Sequence, residues 1–182
     1  MKPWYIYVVV EALFFELMRR FFSLEMLRFR LAVLSMAIVF VSCGASKKAV
    51  VRDAKVERVI STARSYIGTP YRYGGTTRSG MDCSGLLLNA FKSAEVTLPR
   101  RSEDQSKMGK EVGINNLAPG DLVFFATGKK KRVITHVGMV TEVGRDGSVR
   151  FIHASSSLGV VETNLNTDYY KKRFRGARRI IF

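Results

Sequence analysis

The sequence predicts an α+β domain in which N-terminal helices pack on one side of a curved antiparallel sheet. Helical periodicity is confined to residues 54–109, and from Leu117 onward the pattern changes to short apolar strands punctuated by Gly, Asp and Ser. Of the 182 residues, 47% are apolar and 25% charged, the balance of a chain that buries a core rather than staying disordered. That length suits one domain and is too short for two ordinary ones plus a leader. Two cysteines allow one bridge at most, so no disulfide framework exists, and no internal repeat or biased tract runs through the chain.

Residues 1–42 read as a leader. Positions 31–41, LAVLSMAIVFV, are apolar but for Ser35, with Arg28 and Arg30 before them and Ser42-Cys43-Gly44 after. A positive n-region, an apolar stretch of about 7–15 residues and a small-residue end describe a secretory signal, whereas a spanning helix needs roughly 20 residues. A cysteine at the cleavage point resembles the lipobox of bacterial lipoproteins. That resemblance implies that Cys43 is acylated and becomes the mature N-terminus; a plain signal or a retained anchor are the alternatives. Residues 1–25 fit no standard signal, because Glu11 and Glu16 interrupt them and a charge at mid-bilayer costs about 2.5 kcal/mol or more. The true start is therefore expected at Met26, with an additional amphipathic membrane segment as the alternative.

Residues 43–53 read as the lipidated cysteine and a short basic tether, and 54–182 as the folded domain. Val56, Val59, Ile60, Ala63, Tyr66 and Ile67 recur at spacings of three and four, one face of a helix ending near Gly68. TPYRYGGTTRSGMD has no period and reads as a loop. CSGLLLNAFKSAE reads as a second helix with Leu86, Leu87, Ala90 and Phe91 inward, and residues 102–109 as a short third one. LAPGD is a turn, and LVFFA, THVGMVTEV, SVRFIHAS, GVVET and RGARRIIF are strands, the middle pair joined at Arg145-Asp146-Gly147.

Thirty Lys and Arg against fifteen Asp and Glu give a net charge of +15, and residues 43–182 alone carry 25 basic and 12 acidic residues. The positive charge thus belongs to the domain, which is expected to meet anionic surroundings. Lys129-Lys130-Lys131-Arg132 and Lys171-Lys172-Arg173-Phe174-Arg175 read as solvated basic loops. An exported domain meets anionic wall polymer and lipid headgroups before nucleic acid, so no nucleic-acid partner is expected.

Three features point to one chemistry. Asp82-Cys83-Ser84-Gly85 lies where a loop becomes a helix, and a thiol at a helix N-terminus sits near unpaired N–H groups and the positive end of the dipole, which favour thiolate. Taken alone, a cysteine followed by three leucines also suits a packed core. The domain's two histidines, His136 and His153, lie in apolar β-patterns seventeen residues apart across one hairpin, so neighbouring strands can bring them together. His136 alternates with Val137 and so faces away from that valine. One imidazole can then take the thiol proton while the other orients it. Tyr71, in GTPYRYGG, reads equally as a site hydroxyl or as a packed aromatic in a rigid turn.

GTPYRYGG, DCSG, LPR, LAPGDLVFF, THVGMV and FIHASSS, in this order across residues 54–182, resemble the NlpC-type family of bacterial cell-wall cysteine peptidases, small relatives of papain. The resemblance implies a papain-like fold and cleavage of peptidoglycan stem peptides or cross-links. It implies Cys83 as nucleophile, His136 as general base and His153 as the polar third member. It further implies Tyr71 at the oxyanion or substrate, and Asp82 and Ser84 lining the subsite for the stem peptide's amine. No metal or organic cofactor is implied. The expected setting is the cell envelope, with the protein a membrane-anchored lipoprotein at the periplasm or outer membrane, monomeric, and open to a regulatory adaptor of unknown identity. One departure from the family pattern is the lack of an SH3-type wall-binding module in this sequence, so retention on substrate would depend on the catalytic domain, its charge and the lipid.

Three other readings compete. Cys83 and two histidines are metal ligands, but they are only three and show no CxxC or HxxxH spacing. A binding-only lipoprotein has no use for a Cys, His and His in these positions. Amidase or transferase chemistry on the same scaffold stays open, since fold does not settle reaction.

Overall fold

A computed structural model describes residues 13–19, 25–29, 31 and 49–180. The chain divides into two compact units, Met1–Val50 and Val51–Phe182. In the first, residues 13–19 and 25–29 are helical and expose Phe14, Phe15 and Leu17. Among the described residues no helix is long and apolar enough to cross a membrane. The leader segment 32–42 and Cys43 lie outside the described residues.

Helix α1 (residues 49–64) buries Val59, Ile60 and Ala63, and positions 49–53, read from the sequence as part of a tether, belong to this helix. Ile67, read from its spacing as inward, is exposed: the helix stops at 64 and residues 65–68 form a turn, which rotates that side chain off the apolar stripe. The chain leaves this turn by pairing Gly68 N–H with Val160 O and Val160 N–H with Thr69 O. The segment read as a loop contains a two-stranded hairpin, β1 (Thr76–Thr77) and β2 (Gly80–Met81), ahead of α2 (Cys83–Lys92). Helix α3 (Ser102–Gln105) is one turn, shorter than the expected 102–109.

One antiparallel sheet follows, formed by β3 (Lys110–Val112), β4 (Leu122–Phe125), β5 (His136–Val143), β6 (Val149–Ser155), β7 (Gly159–Asn164) and β8 (Phe174–Arg179). Its order is β3-β8-β4-β5-β6-β7. Strand β3 and the short helix α4 (Asp168–Arg173) are absent from the sequence reading. This is an α+β architecture, as predicted.

Both faces of the sheet are covered, which is why LVFF is buried at every position instead of alternating. Leu122, Phe124, Val137, Met139, Ile152, Ala154 and Val160 join the buried residues of α1 and α2 in one cluster. Val123, Phe125, Val140, Phe151 and Ala177 form the second with Leu165, flanked by Tyr170 and Phe174. The LAPGD turn is fixed by Asp121, 1% exposed, which accepts from Ala118 N–H at 2.8 Å and pairs with Arg179 at 2.7 and 2.8 Å. That contact ties the start of β4 to β8, and with it the sheet that carries the two histidines.

Candidate active site

The site begins at the N-terminus of α2. Asp82 is extended (φ −97°, ψ 177°) and its Oδ1 caps the helix by accepting from Gly85 N–H at 2.8 Å. The same oxygen accepts from Ser84 Oγ at 3.2 Å and Arg100 at 2.9 Å; Oδ2 accepts from Gly74 N–H at 2.9 Å and Arg100 at 2.6 Å. Both carboxylate oxygens are therefore engaged within the protein. The Arg100 guanidinium and the Gly85 and Gly74 N–H groups hold the Asp82 carboxyl below its usual range, outweighing the burial that would raise it. Gly85 has to be glycine because a Cβ there would lie 2.3 Å from Gly75 O; the helix start is pressed directly on the preceding loop.

This capping leaves Cys83 as the first helical residue, 7% exposed. The Val137 backbone N–H lies near its sulfur and, with the N–H groups of Ser84 and Cys83 itself, favours the charged form. The Val137 N–H belongs to the peptide joining His136 to Val137, so Cys83 lies against the backbone at the start of β5. Burial nevertheless dominates, and with the Asp82 charge it pushes the thiol pKa up. The helix-terminal position alone suggests a preformed thiolate; in the fold, desolvation overrides it.

His136 and His153 come together across β5 and β6. Met139 pairs with Ile152 and Val140 with Phe151, a register that sets the two histidines diagonally on one face, opposite to Val137. His136 Nε2 lies 3.0 Å from His153 Nδ1, with the rings edge to face and 5.0 Å between centroids. His153 stacks on Phe151 at 4.8 Å. Gly138, opposite His153 in this register, makes room: a Cβ there would stand 2.5 Å from the Phe151 ring. Burial lowers the His136 pKa to about 4, and burial together with the neighbouring ring lowers that of His153. The resting pair is a neutral thiol and a neutral imidazole.

Tyr71 pairs with Met81 through an isolated bridge, and Pro70 O and Arg72 N–H bond the Met81 backbone, which brings the tyrosine beside Cys83. Burial, then the Cys83 and Asp82 charges, push its pKa up, so its hydroxyl remains a donor. A cleft of about 430 Å³ is lined by Tyr71, Asp82, Cys83, Ser84 and Arg100, and a recess of about 140 Å³ by Tyr71, His136, His153, Tyr169 and Tyr170. Tyr71 and Thr135 line both. All six candidate residues of the folded domain thus surround two adjoining hollows. Arg100, Thr163 and Tyr170 are participants that the sequence reading did not single out.

The neutral resting pair has a measurable consequence. kcat/KM is expected to stay level from neutral pH to about pH 5 and to fall only as His136 binds a proton near its pKa of about 4. An acid limb centred near the ordinary imidazole value would contradict the desolvated ring. Folding stability follows the same sign. Both folded pKa values lie below the unfolded one, so the contribution of the neutral rings is full above about pH 6.5 and is lost as pH falls toward 4. The urea midpoint should drop over that window.

A buried cysteine at a capped helix start and two hydrogen-bonded imidazoles on the packed antiparallel sheet, lining adjoining hollows, form the arrangement expected of a papain-like cysteine peptidase. The sequence pattern of the NlpC/P60 family matches residues 68–179, and the chain belongs to that family. It is 43% identical over 118 residues to the probable endopeptidase NlpC of Escherichia coli (strain K12), covering 64% of this chain and 73% of that protein. It is 39% identical over 133 residues to the murein DD-endopeptidase MepS/murein LD-carboxypeptidase of the same organism, covering 72% of this chain and 66% of that protein. Among solved structures, an NlpC/P60 family protein from Bacillus cereus superposes with a TM-score of 0.63 at 35% identity, over 70% of this chain and 40% of that one.

Proposed function

We propose that this protein is a peptidoglycan endopeptidase that cleaves stem peptides or peptide cross-links of the bacterial cell wall. The observation that carries this reading is the 3.0 Å hydrogen bond between His136 and His153 on the strand whose first peptide lies near Cys83. Relatives named as a murein endopeptidase and a probable endopeptidase support the substrate class.

The reaction starts from neutral groups. Cys83 Sγ attacks the peptide carbonyl carbon as its proton passes to His136 Nδ1, the ring nitrogen not engaged by His153. The oxyanion rests on N–H groups at the start of α2 and on the Tyr71 hydroxyl. His136 returns the proton to the leaving nitrogen, the C–N bond breaks, and a thioester remains. Water, deprotonated by His136, then releases the carboxylate and restores the thiol. Asp82 holds the α2 terminus and Arg100 in place, and with Ser84 forms the cleft wall along which the stem peptide's amine end lies.

Incubation of the chain lacking its leader with purified muropeptides, with products weighed by mass spectrometry, tests this reading. Two fragments whose masses sum to the substrate plus one water are the expected outcome; unchanged masses over the whole panel would refute hydrolysis, and products lacking the added water would indicate transfer.

Location is part of the same proposal. The leader composition and Cys43 support export to the cell envelope and a lipid anchor that holds a monomeric domain at the membrane. Cys43→Ala is expected to abolish incorporation of labelled palmitate and to move the protein from the membrane to the soluble fraction. Retention of label would place the lipid elsewhere. The basic loops support attraction to wall carboxylates: Arg175 Nε donates to Lys131 O at 2.6 Å, joining the two basic runs. Binding to isolated wall should weaken as salt rises.

A further inference from the structure

The 3.0 Å contact between the histidines leaves the position of its proton open, and the proposed reaction depends on it. If His136 carries hydrogen on Nδ1, that nitrogen cannot take the thiol proton. Hydrogen on Nε2 leaves Nδ1 free to do so.

The answer lies one step further from the cysteine. His153 Nε2 lies 3.1 Å from Thr163 Oγ1 and 3.2 Å from the Tyr170 hydroxyl. A bare ring nitrogen has one in-plane lone pair and accepts one O–H well. An N–H directed between two oxygens is shared by both. Two converging hydroxyls therefore favour hydrogen on His153 Nε2. His153 Nδ1 is then bare and accepts from His136, whose hydrogen must sit on Nε2, and His136 Nδ1 is left as the base. Both hydroxyls are presented by packed elements. Thr163 lies on β7 opposite Phe151, and the Tyr170 ring meets Phe125, Phe151 and His153 edge-on at 5.2, 4.8 and 5.5 Å.

We infer that Thr163 and Tyr170 are positioning residues that set the tautomers of both histidines and so keep His136 Nδ1 free to accept the Cys83 proton. The inference rests on the reading of Cys83 and His136 as the reacting pair, but part of its test does not.

Nitrogen-15 NMR of the histidine rings in the unmodified protein reports protonation at each nitrogen without any turnover. The expected spectrum shows hydrogen on Nε2 of both rings; hydrogen on His136 Nδ1 overturns the inference outright. Muropeptides left uncleaved by the unmodified protein would sink the peptidase reading instead, with the spectrum still readable.

In an active protein, combining Tyr170→Phe with Thr163→Val removes both acceptors. kcat should fall about tenfold or more with KM within about twofold, and the His136 spectrum should show mixed protonation. Each single substitution leaves one oxygen and should cost less. Thr163→Ser combined with Tyr170→Phe restores one hydroxyl and should recover most of the rate, an outcome that a purely packing role for the threonine methyl does not produce. Unchanged kcat and unchanged ring spectra in the double variant would overturn the inference.

Discussion

Cys83→Ala is expected to reduce muropeptide cleavage by about a thousandfold or more, because the step it removes is formation of the covalent intermediate. The substitution deletes one buried sulfur and leaves the Asp82 cap, the Gly85 contact and α2 intact, so the melting temperature should move little. His136→Ala should lose a comparable factor for a different reason. The Cys83 pKa is pushed up by burial, so without a base the sulfur stays protonated at neutral pH. The double variant should be scarcely worse than either single one, since the two residues act in the same step. Additive losses in that cycle would mean that thiol and imidazole work independently, and the proposed mechanism would fall. Burial also makes the thiol a slow target for alkylating reagents at neutral pH compared with a preformed thiolate.

Asp82→Ala is expected to damage both stability and activity. The carboxylate receives five hydrogen bonds from four residues and supplies the cap of α2. Its removal leaves the Gly74 and Gly85 N–H groups and the Arg100 guanidinium without their acceptor. A lost cap costs about 1 kcal/mol. A broken buried ion pair costs about 3–5 kcal/mol, less here because the Arg100 side chain is 38% exposed and can turn to water. A loss of roughly 2–3 kcal/mol in chemical denaturation is the expected total. Asp82→Asn keeps an acceptor for the helix but loses the charge opposite Arg100, and should recover only part of it. If Asp82→Ala melted within a degree of the unmodified protein, the carboxylate would not organise the site in this way.

The candidate site was legible where residue types are scarce. A single cysteine within the folded region and two histidines in alternating apolar segments leave few ways to build a base and its orienter, and the family resemblance names the same residues. The sheet was legible because its strands begin and end at Gly, Asp and Ser. The rest depends on short elements. Helix α4 is six residues, DYYKKR, with none of them buried, so it carries no apolar stripe to read. Tyr170 reaches His153 because the chain folds back over the sheet, which no local spacing encodes. Arg100 meets Asp82 across eighteen residues for the same reason. The thiol's raised pKa was illegible as well: a sequence shows a helix start but not how deeply it will be buried.

The position of β8 between β3 and β4 reaches beyond the site itself. Every candidate catalytic and positioning residue precedes residue 171, yet the strand that joins the sheet's two parts is synthesised after all of them. Until it arrives, β4 through β7 can pair as a local meander while β3 has no partner in the sheet. A premature stop codon near residue 173 would therefore spare all the residues of the reaction and still yield a null allele.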